Sequence, residues 1–140
     1  MSVAVLAYRE RDFAAVKALW RRVFPDDPPW NSADEAIPAK LAVQPELFLV
    51  AADDGEIIGT VMAGYDGHRG WLYALAVDEK FRRRGIGGML VREAEIGLKA
   101  LGCKKINLQI RASNSEVQRF YEGLGYGAEE RISMGKRLAG

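Results

Sequence analysis

The segment Arg82–Gly88 concentrates residue types that bind phosphate. Three consecutive arginines stand directly before a cluster of three glycines, and a helical pattern begins at the glycines. The first N–H groups of a helix lack intrahelical partners and lie at the positive end of the helix dipole. Glycine lets an anion approach the backbone closely, and arginine adds charge-assisted hydrogen bonds. The segment therefore predicts a loop for a small phosphorylated ligand, with a solvated basic turn as the alternative.

The same residues exclude two familiar phosphate loops. A nucleoside-triphosphate loop ends in Gly-Lys-Ser or Gly-Lys-Thr, and this sequence has no such run. A dinucleotide fingerprint needs a third glycine after Gly85-x-Gly87 and an acidic residue further along the chain, and both are missing. The ligand is expected to be anionic, but the loop alone does not identify it.

A strand and a helix are needed to position this loop. The apolar run Trp71–Val77 is too short for a typical helix and rich in aromatic residues, which favours a buried strand. The helix that follows the glycines ends at Gly102 in the C′ position. Its expected apolar face consists of Ile86, Leu90, Ala94, Gly97 and Leu101.

The remaining elements follow from periodicity and from turn residues. Further strands are predicted at Val3–Tyr8, Glu46–Ala52, Glu56–Tyr65 and Lys105–Arg111, with one or two more within Gly127–Leu138. Further helices are predicted from the N-cap Asp12 to Pro25, over Asp34–Val43, and from a capping box at Ser113–Glu116 to Gly125. The Asp54-Gly55 step predicts a hairpin. Hairpin-joined strands in the middle and later β–α–β steps predict an α/β fold with a mixed sheet flanked by helices.

Composition narrows the class of protein. The chain has 140 residues, 49% hydrophobic and 28% charged, with a net charge of +1. This size predicts one domain, and the balanced charge argues against a nucleic acid or an anionic membrane as the partner. Cys103 is the single cysteine, so no intrachain disulfide can form, and no stretch approaches membrane-spanning length. A cytoplasmic location is expected.

The motifs, taken in order, resemble the GCN5-related N-acetyltransferase (GNAT) superfamily over nearly the whole chain. They are Leu75-Ala-Val-Asp78, then Arg82-x-x-Gly85-x-Gly87, then NSEVQRFYEGLGY from Asn114 onward. Within the superfamily the chain resembles small bacterial members of the YpeA type, through GTVMAGYDGHRG and the closing GKRL. The RASN run at residues 111–114 also resembles ribosomal-protein N-terminal acetyltransferases. The resemblance implies a mostly antiparallel mixed sheet of six to seven strands, splayed between strands 4 and 5, with about four helices.

The resemblance also implies roles for individual residues. Tyr121 is the expected general acid, because a phenol can protonate the departing thiolate and remain neutral at pH 7; from spacing alone it is a core aromatic. A backbone N–H near Leu75–Val77 would hold the oxyanion, and Asn114 would contact the coenzyme in addition to capping its helix. The full set of expected coenzyme A contacts is Leu75, Ala76, Val77, Arg82, Arg83, Arg84, Gly85, Ile86, Gly87, Gly88 and Asn114.

The acceptor side matches the family less well. Some members have an acidic residue where this chain has Trp71, and Gln109 stands where the ribosomal-protein enzymes have a glutamate. No general base is assigned; the candidates are Glu46, Asp66, His68 and Tyr73, with a solvated turn residue as the alternative for His68. The residues expected to surround the acceptor are Trp30, Asp66, His68, Trp71 and Tyr73, with a core role as the alternative for the two tryptophans.

These observations predict a single GNAT domain over residues 1–140 that transfers the acetyl group of acetyl-CoA directly to a primary amine in a ternary complex. No metal is expected. The alternative is a non-catalytic coenzyme A-binding or sensing module of the same fold. Members of this superfamily often form dimers, so a homodimer is compatible with the resemblance, but the sequence shows no clear interface.

Overall fold

The computed structural model describes residues 2–138. These residues group into two compact units, the first ending at Leu108 and the second beginning at Gln109. The first unit contains strands β1 to β5 at Val3–Ala7, Phe48–Asp53, Glu56–Tyr65, Gly70–Val77 and Ile106–Asn107. It also contains helices α1 (Phe13–Val23), α2 (Ala33–Leu41) and α3 (Ile86–Ala100). The second unit contains helix α4, Ser115–Gly123.

The five strands form one mixed sheet in the order β1-β2-β3-β4-β5. The first three pairings are antiparallel and the last is parallel. The β2–β3 turn has positive φ at both Asp54 and Gly55, which is the backbone of the predicted two-residue hairpin. The mixed sheet is therefore confirmed, and so is the Asp-Gly hairpin.

The expected six to seven strands are wrong: the described residues contain five. The run predicted at 105–111 gives a strand of only two residues, and residues 127–138 form no strand. In that last run Ile132 and Met134 are each 90% exposed and Leu138 is 92% exposed. Apolar residues that bury nothing cannot hold a strand in place, because strand stability comes from side-chain packing.

Each face of the sheet carries its own helices. On one face α1 and α2 cover β2, β3 and β4, and a cluster of buried residues around Val16, Leu19, Ile37 and Phe48 fills the space between. On the other face α3 packs on β3 and β4. The buried residues of β3 run without a break from Ile58 to Ala63, because both faces of this strand are covered. This central position makes β3 a rigid reference for its neighbour β4.

Helix α3 matches its predicted limits. It begins after Gly85, and Gly102 follows it with φ of 92°. The N–H of Cys103 donates to the carbonyl of Leu98 at 3.1 Å, which closes the expected C-terminal turn. The predicted apolar face is wrong at Leu101, which is 45% exposed, because the core contact at this end of the helix is made by Leu98.

Helix α4 begins one residue later than the capping-box motif suggested. Its N-cap is Asn114, whose Oδ1 accepts a hydrogen bond from the N–H of Val117 at 3.1 Å.

None of the helices in residues 2–138 is long and apolar enough to cross a membrane.

Candidate active site

The segment that joins β4 to α3 holds the predicted phosphate loop. Asp78 continues the pairing beyond β4, since its N–H donates to the carbonyl of Ile58 at 2.8 Å. Its carboxylate accepts from the N–H of Lys80 at 3.1 Å and from Nη2 of Arg22, on α1, at 2.9 Å. Burial alone would raise the pKa of Asp78, but these hydrogen bonds and the charges of Arg22 and Lys80 outweigh it and lower the pKa. The start of the loop is thereby fixed to α1.

The backbone of the loop contains two residues with positive φ, a feature of anion-binding nests. Arg83 and Gly85 are both left-handed, with φ of 64° and 78°. Left-handed residues in a tight turn make successive N–H groups converge on a concave surface. The first backbone bond inside α3 is donated by Met89 to Gly85 at 3.0 Å. The N–H groups of the three preceding residues, 86–88, therefore have no partner within the helix.

Two of the three arginine side chains are held by neighbours. Nε of Arg82 donates to the carbonyl of Val77 at 3.2 Å, and the guanidinium of Arg84 lies 5.4 Å from the ring centre of Phe81. Ile86 is buried and anchors the first turn of α3 in the core. The basic residues are thus positioned next to the converging N–H groups.

Strand β4 changes geometry shortly before this loop. Its ladder with β5 consists of two pairs and ends at Trp71 opposite Asn107. On the other side the register with β3 shifts between the pairs Met62–Tyr73 and Thr60–Ala76. Two residues of β4 therefore stand opposite one of β3, and the first of them, Ala74, has φ of 50°. This is a β-bulge, which bends the strand and re-aims its peptide groups.

The opposite end of β4 carries the residues predicted for the acceptor. Oδ1 of Asp66 accepts from the N–H groups of His68 and Arg69, both at 2.7 Å, and so shapes the turn between β3 and β4. Those two backbone hydrogen bonds, that of Arg69 first, lower the pKa of Asp66. A carboxylate with a lowered pKa is a weak proton acceptor, so Asp66 is poorly suited to be the general base.

Trp71 and Tyr73 are two residues apart on β4 and share one face of the sheet. Tyr73 is 55% exposed although β4 is an interior strand. Burial, followed by the charge of Asp66, raises the pKa of Tyr73, and the side chain of Trp71 lies near enough to Asp66 to help lower the pKa of that carboxyl. The structure therefore brings Asp66, Trp71 and Tyr73 together. Trp30 lies in the turn before α2 and is 46% exposed.

Asn114 and Tyr121 belong to the second unit. Tyr121 is 6% exposed, and its ring makes edge contacts with Phe120 and Tyr126 at centroid distances of 5.0 and 5.5 Å. Burial raises the pKa of Tyr121 to about 12. Its phenol is therefore neutral at ordinary pH and retains its proton.

Comparison with known proteins decides the family. The sequence profile of the Acetyltransferase (GNAT) family matches residues 13–126. The chain belongs to this family. An acetyltransferase of Pectobacterium atrosepticum is 47% identical over 133 residues, which are 94% of this chain and 92% of that protein.

Solved structures of GNAT acetyltransferases share the fold. The acetyltransferase AAC(6′)-Iy, bound to the bisubstrate analogue CoA-S-monomethyl-acetylneamine, superimposes with a TM-score of 0.82 at 17% identity, over 99% of this chain and all of the other. The N-acetyltransferase PaiA of Thermoplasma acidophilum, in complex with coenzyme A, gives a TM-score of 0.81 at 20% identity over 94% of each chain. At these identities the likeness concerns the fold alone.

Two residues that sequence reasoning missed support the end of this GNAT sheet at which β3 turns into β4. Strand β2 pairs with β3 only as far as Met62, and side chains replace it beyond that point. The side-chain amide of Gln44 pairs with both backbone groups of Tyr65, at 2.8 and 3.0 Å, and Nζ of Lys40 donates to the carbonyl of Ala63. Burial lowers the pKa of Lys40, although the charge of Glu46 opposes this shift. No local pattern predicts these contacts, because the partners are about twenty residues apart.

Proposed function

We propose that this GNAT family member is an N-acetyltransferase that moves the acetyl group of acetyl-CoA directly to a primary amine within a ternary complex. The observation that carries the proposal is the pair of left-handed residues Arg83 and Gly85 at the start of α3. This nest follows a strand that is bulged and largely without a partner on its β5 side in the described residues. Since the family profile extends from residue 13 to 126, we treat residues 1–140 as one acetyltransferase domain.

The coenzyme would be held mainly by backbone groups. N–H groups from Arg83 to Gly88 would receive the pyrophosphate, with Ile86 anchoring the helix and the side chains of Arg82, Arg83 and Arg84 adding positive charge. The pantetheine arm is an extended chain that carries amides. It would lie along the edge of β4 beyond Trp71 and pair with Leu75, Ala76 and Val77 as an added strand does.

The chemistry needs an oxyanion site and a proton donor. The amine nitrogen would attack the thioester carbonyl carbon and form a tetrahedral intermediate, whose oxygen a backbone N–H in Leu75–Val77 would stabilise; one such donor contributes ~3 kcal/mol. The carbon–sulfur bond then breaks, and Tyr121 would protonate the departing thiolate. Asn114 would contact the coenzyme. The roles of Tyr121 and Asn114 rest on their positions in the family's motif.

The acceptor would meet Asp66, His68, Trp71 and Tyr73 at the other end of β4, with Trp30 as a further wall. A carboxylate that stays ionised beside the exposed ring of Tyr73 suits a cationic amine. Tyr73, which stays neutral, could hold a water that relays the proton of the acceptor ammonium. An amine is the proposed acceptor class.

Two measurements on the purified protein test this function. Calorimetric titration with acetyl-CoA should show binding, and a panel of small amines and short peptides should release coenzyme A only in the presence of an accepted amine. Binding without release against every amine would establish the non-catalytic module instead. No detectable binding of millimolar acetyl-CoA would overturn both readings.

A further inference from the structure

Three residues from three different elements meet at the bulge of β4. Oγ1 of Thr60, on β3, lies 2.9 Å from the carbonyl oxygen of Ala74 and donates to it. Nε1 of Trp20, on α1, donates to the same Oγ1 at 2.9 Å. Thr60 has no exposed surface and Trp20 is 5% exposed. We infer that Trp20 and Thr60 are positioning residues for the acetyl-transfer reaction, because they set the direction of the Leu75 N–H; this inference rests on the proposed function.

The direction of the hydroxyl hydrogen is fixed by the chemistry of its two partners. An indole N–H can only donate and a carbonyl oxygen can only accept. The single hydroxyl hydrogen of Thr60 must therefore point at Ala74, while its lone pair faces Trp20. The two hydrogen bonds, from Trp20 to Thr60 and from Thr60 to Ala74, form a relay that has only one arrangement. This relay therefore holds the carbonyl of Ala74 in one orientation.

That orientation is passed to the next residue through the peptide bond. The carbonyl of Ala74 and the N–H of Leu75 belong to one planar trans peptide, in which the two groups point in opposite directions. With the carbonyl held towards Thr60, the N–H of Leu75 is directed away from Thr60. Leu75 is the first of the residues proposed to hold the oxyanion, so the relay fixes a proposed catalytic donor from behind.

The energetics favour a role beyond packing. Thr60 is buried, and every other buried residue in the described part of the chain is apolar or aromatic. A valine would fill the same space without a hydroxyl that needs partners, and buried polar groups are costly when they are left unpaired. The left-handed conformation of Ala74 is also unfavourable for a residue with a Cβ, and such strain persists where the surroundings hold it. The two hydrogen bonds hold the strained backbone.

Substitutions that separate shape from hydrogen bonding test the inference. Thr60→Val keeps nearly the same volume and removes the hydroxyl, Thr60→Ser keeps the hydroxyl, and Trp20→Phe removes the indole N–H together with part of the ring. We expect Thr60→Val to lower kcat roughly 10- to 100-fold while the Kd for acetyl-CoA changes less than about twofold, since misplacing a catalytic group costs on this scale. Thr60→Ser should recover most of kcat, and Trp20→Phe should fall between the two.

A matched control separates this from general loss of stability. Ile37→Val removes a methylene from the buried cluster that contains Trp20 and leaves all three hydrogen-bonding groups in place. It should lower Tm while kcat stays within about twofold, as expected of a small core cavity. If Thr60→Val behaves like Ile37→Val, with a lower Tm and unchanged kcat, Thr60 is a purely structural residue and the inference fails.

A second readout does not depend on turnover. Binding of a ketone analogue of acetyl-CoA, in which a methylene replaces the sulfur, should shift the amide resonance of Leu75 in the wild type and much less in Thr60→Val. An equal shift in both proteins would overturn the inference even if the wild type is an active acetyltransferase. A wild type that binds acetyl-CoA but acetylates no amine would overturn the proposed function, which the Leu75 resonance does not measure.

Discussion

The two ends of β4 are built in different ways. At the end that leads into α3, the features are made by the backbone: a bulge at Ala74, left-handed residues at Arg83 and Gly85, and unpaired N–H groups in the first turn of the helix. At the other end, the features are side chains on a regular strand and turn, namely Asp66, Trp71 and Tyr73. This difference fits the proposed function, in which one end of β4 binds the coenzyme that family members share and the other end binds an acceptor that varies between them.

A backbone site suits a ligand that is the same in every family member. Its geometry depends on a few constrained positions and tolerates changes of side chain elsewhere. A side-chain site can be altered one residue at a time, which suits an acceptor that differs between relatives. If this division holds, substitutions at the two ends should affect different kinetic constants.

Removing the Tyr121 hydroxyl should have the largest effect and should spare both ends of β4. Tyr121→Phe removes the proposed proton donor, and loss of a general acid typically costs ~100-fold or more in rate. Binding of acetyl-CoA and of the acceptor should stay near the wild-type values. Steady-state kinetics together with calorimetry measure both. A wild-type kcat in Tyr121→Phe would remove this residue from the acid role.

Gly85→Ala should weaken coenzyme binding next most strongly. A Cβ at Gly85 would meet no atom within 4 Å, so the cost comes only from its φ of 78°. An alanine there costs about 1 kcal/mol or relaxes the loop out of its nest conformation. We expect the Kd for acetyl-CoA to rise about tenfold, as the loss of one or two phosphate hydrogen bonds would produce.

The hairpin glycine provides the matched control for that substitution. Gly55 has φ of 86° and equally open surroundings, but lies in the β2–β3 turn. Gly55→Ala should lower Tm by a similar amount and leave the Kd for acetyl-CoA unchanged. Equal losses of affinity in the two variants would mean that affinity for acetyl-CoA follows the overall stability of the protein. The proposal that the backbone of the loop binds the coenzyme would then be wrong.

Tyr73→Ala should affect the acceptor and not the coenzyme. Since Tyr73 is 55% exposed, its removal costs little stability. Loss of one aromatic face from a cationic amine should raise the acceptor KM about two- to fivefold, with the KM for acetyl-CoA unchanged. Ile96→Ala is the control, because Ile96 is 56% exposed on α3. A rise in the coenzyme KM instead would contradict the division along β4.

Arg22→Ala should produce the smallest effect, on stability. Arg22 holds Asp78 at the start of the proposed phosphate loop, and a pair in which one side chain is 56% exposed contributes less than about 1 kcal/mol. The folded pKa of Asp78 is lowered, so its contribution is present above the unfolded pKa and is lost as the pH falls through the folded value. Urea unfolding should therefore show a difference from wild type at pH 7 that shrinks below about pH 4. A difference that persists in acid would mean that packing, not charge, holds the loop.

Local sequence features predicted much of the frame. The Asp54-Gly55 hairpin, the helix start after Gly85 and the helix end at Gly102 all lie where expected, because each depends on a residue that permits a particular φ. The aromatic run before the loop forms an interior strand, as its composition indicated. The family motifs then led from these elements to the correct family.

Other predictions from the sequence were wrong, because the features concerned depend on residues that are far apart along the chain. Leu101 has the spacing of a core residue but lies beyond the part of α3 that meets the sheet. Residues 127–138 contain the apolar residues of a strand, yet three of them are almost fully exposed. A local pattern predicts which face of an element is apolar, but only its packing partners decide whether that face is covered.

The sequence by itself determined the hairpin, the glycine turn before α3, the limits of α3 and the family of this acetyltransferase, because these depend on residues close together along the chain. Only the tertiary structure decided the bulge at Ala74. Alanine has no preference for positive φ, and the contacts that hold it come from Thr60 on the neighbouring strand and, through it, from Trp20 on α1. Interactions between residues up to forty positions apart leave no local signal in a single sequence.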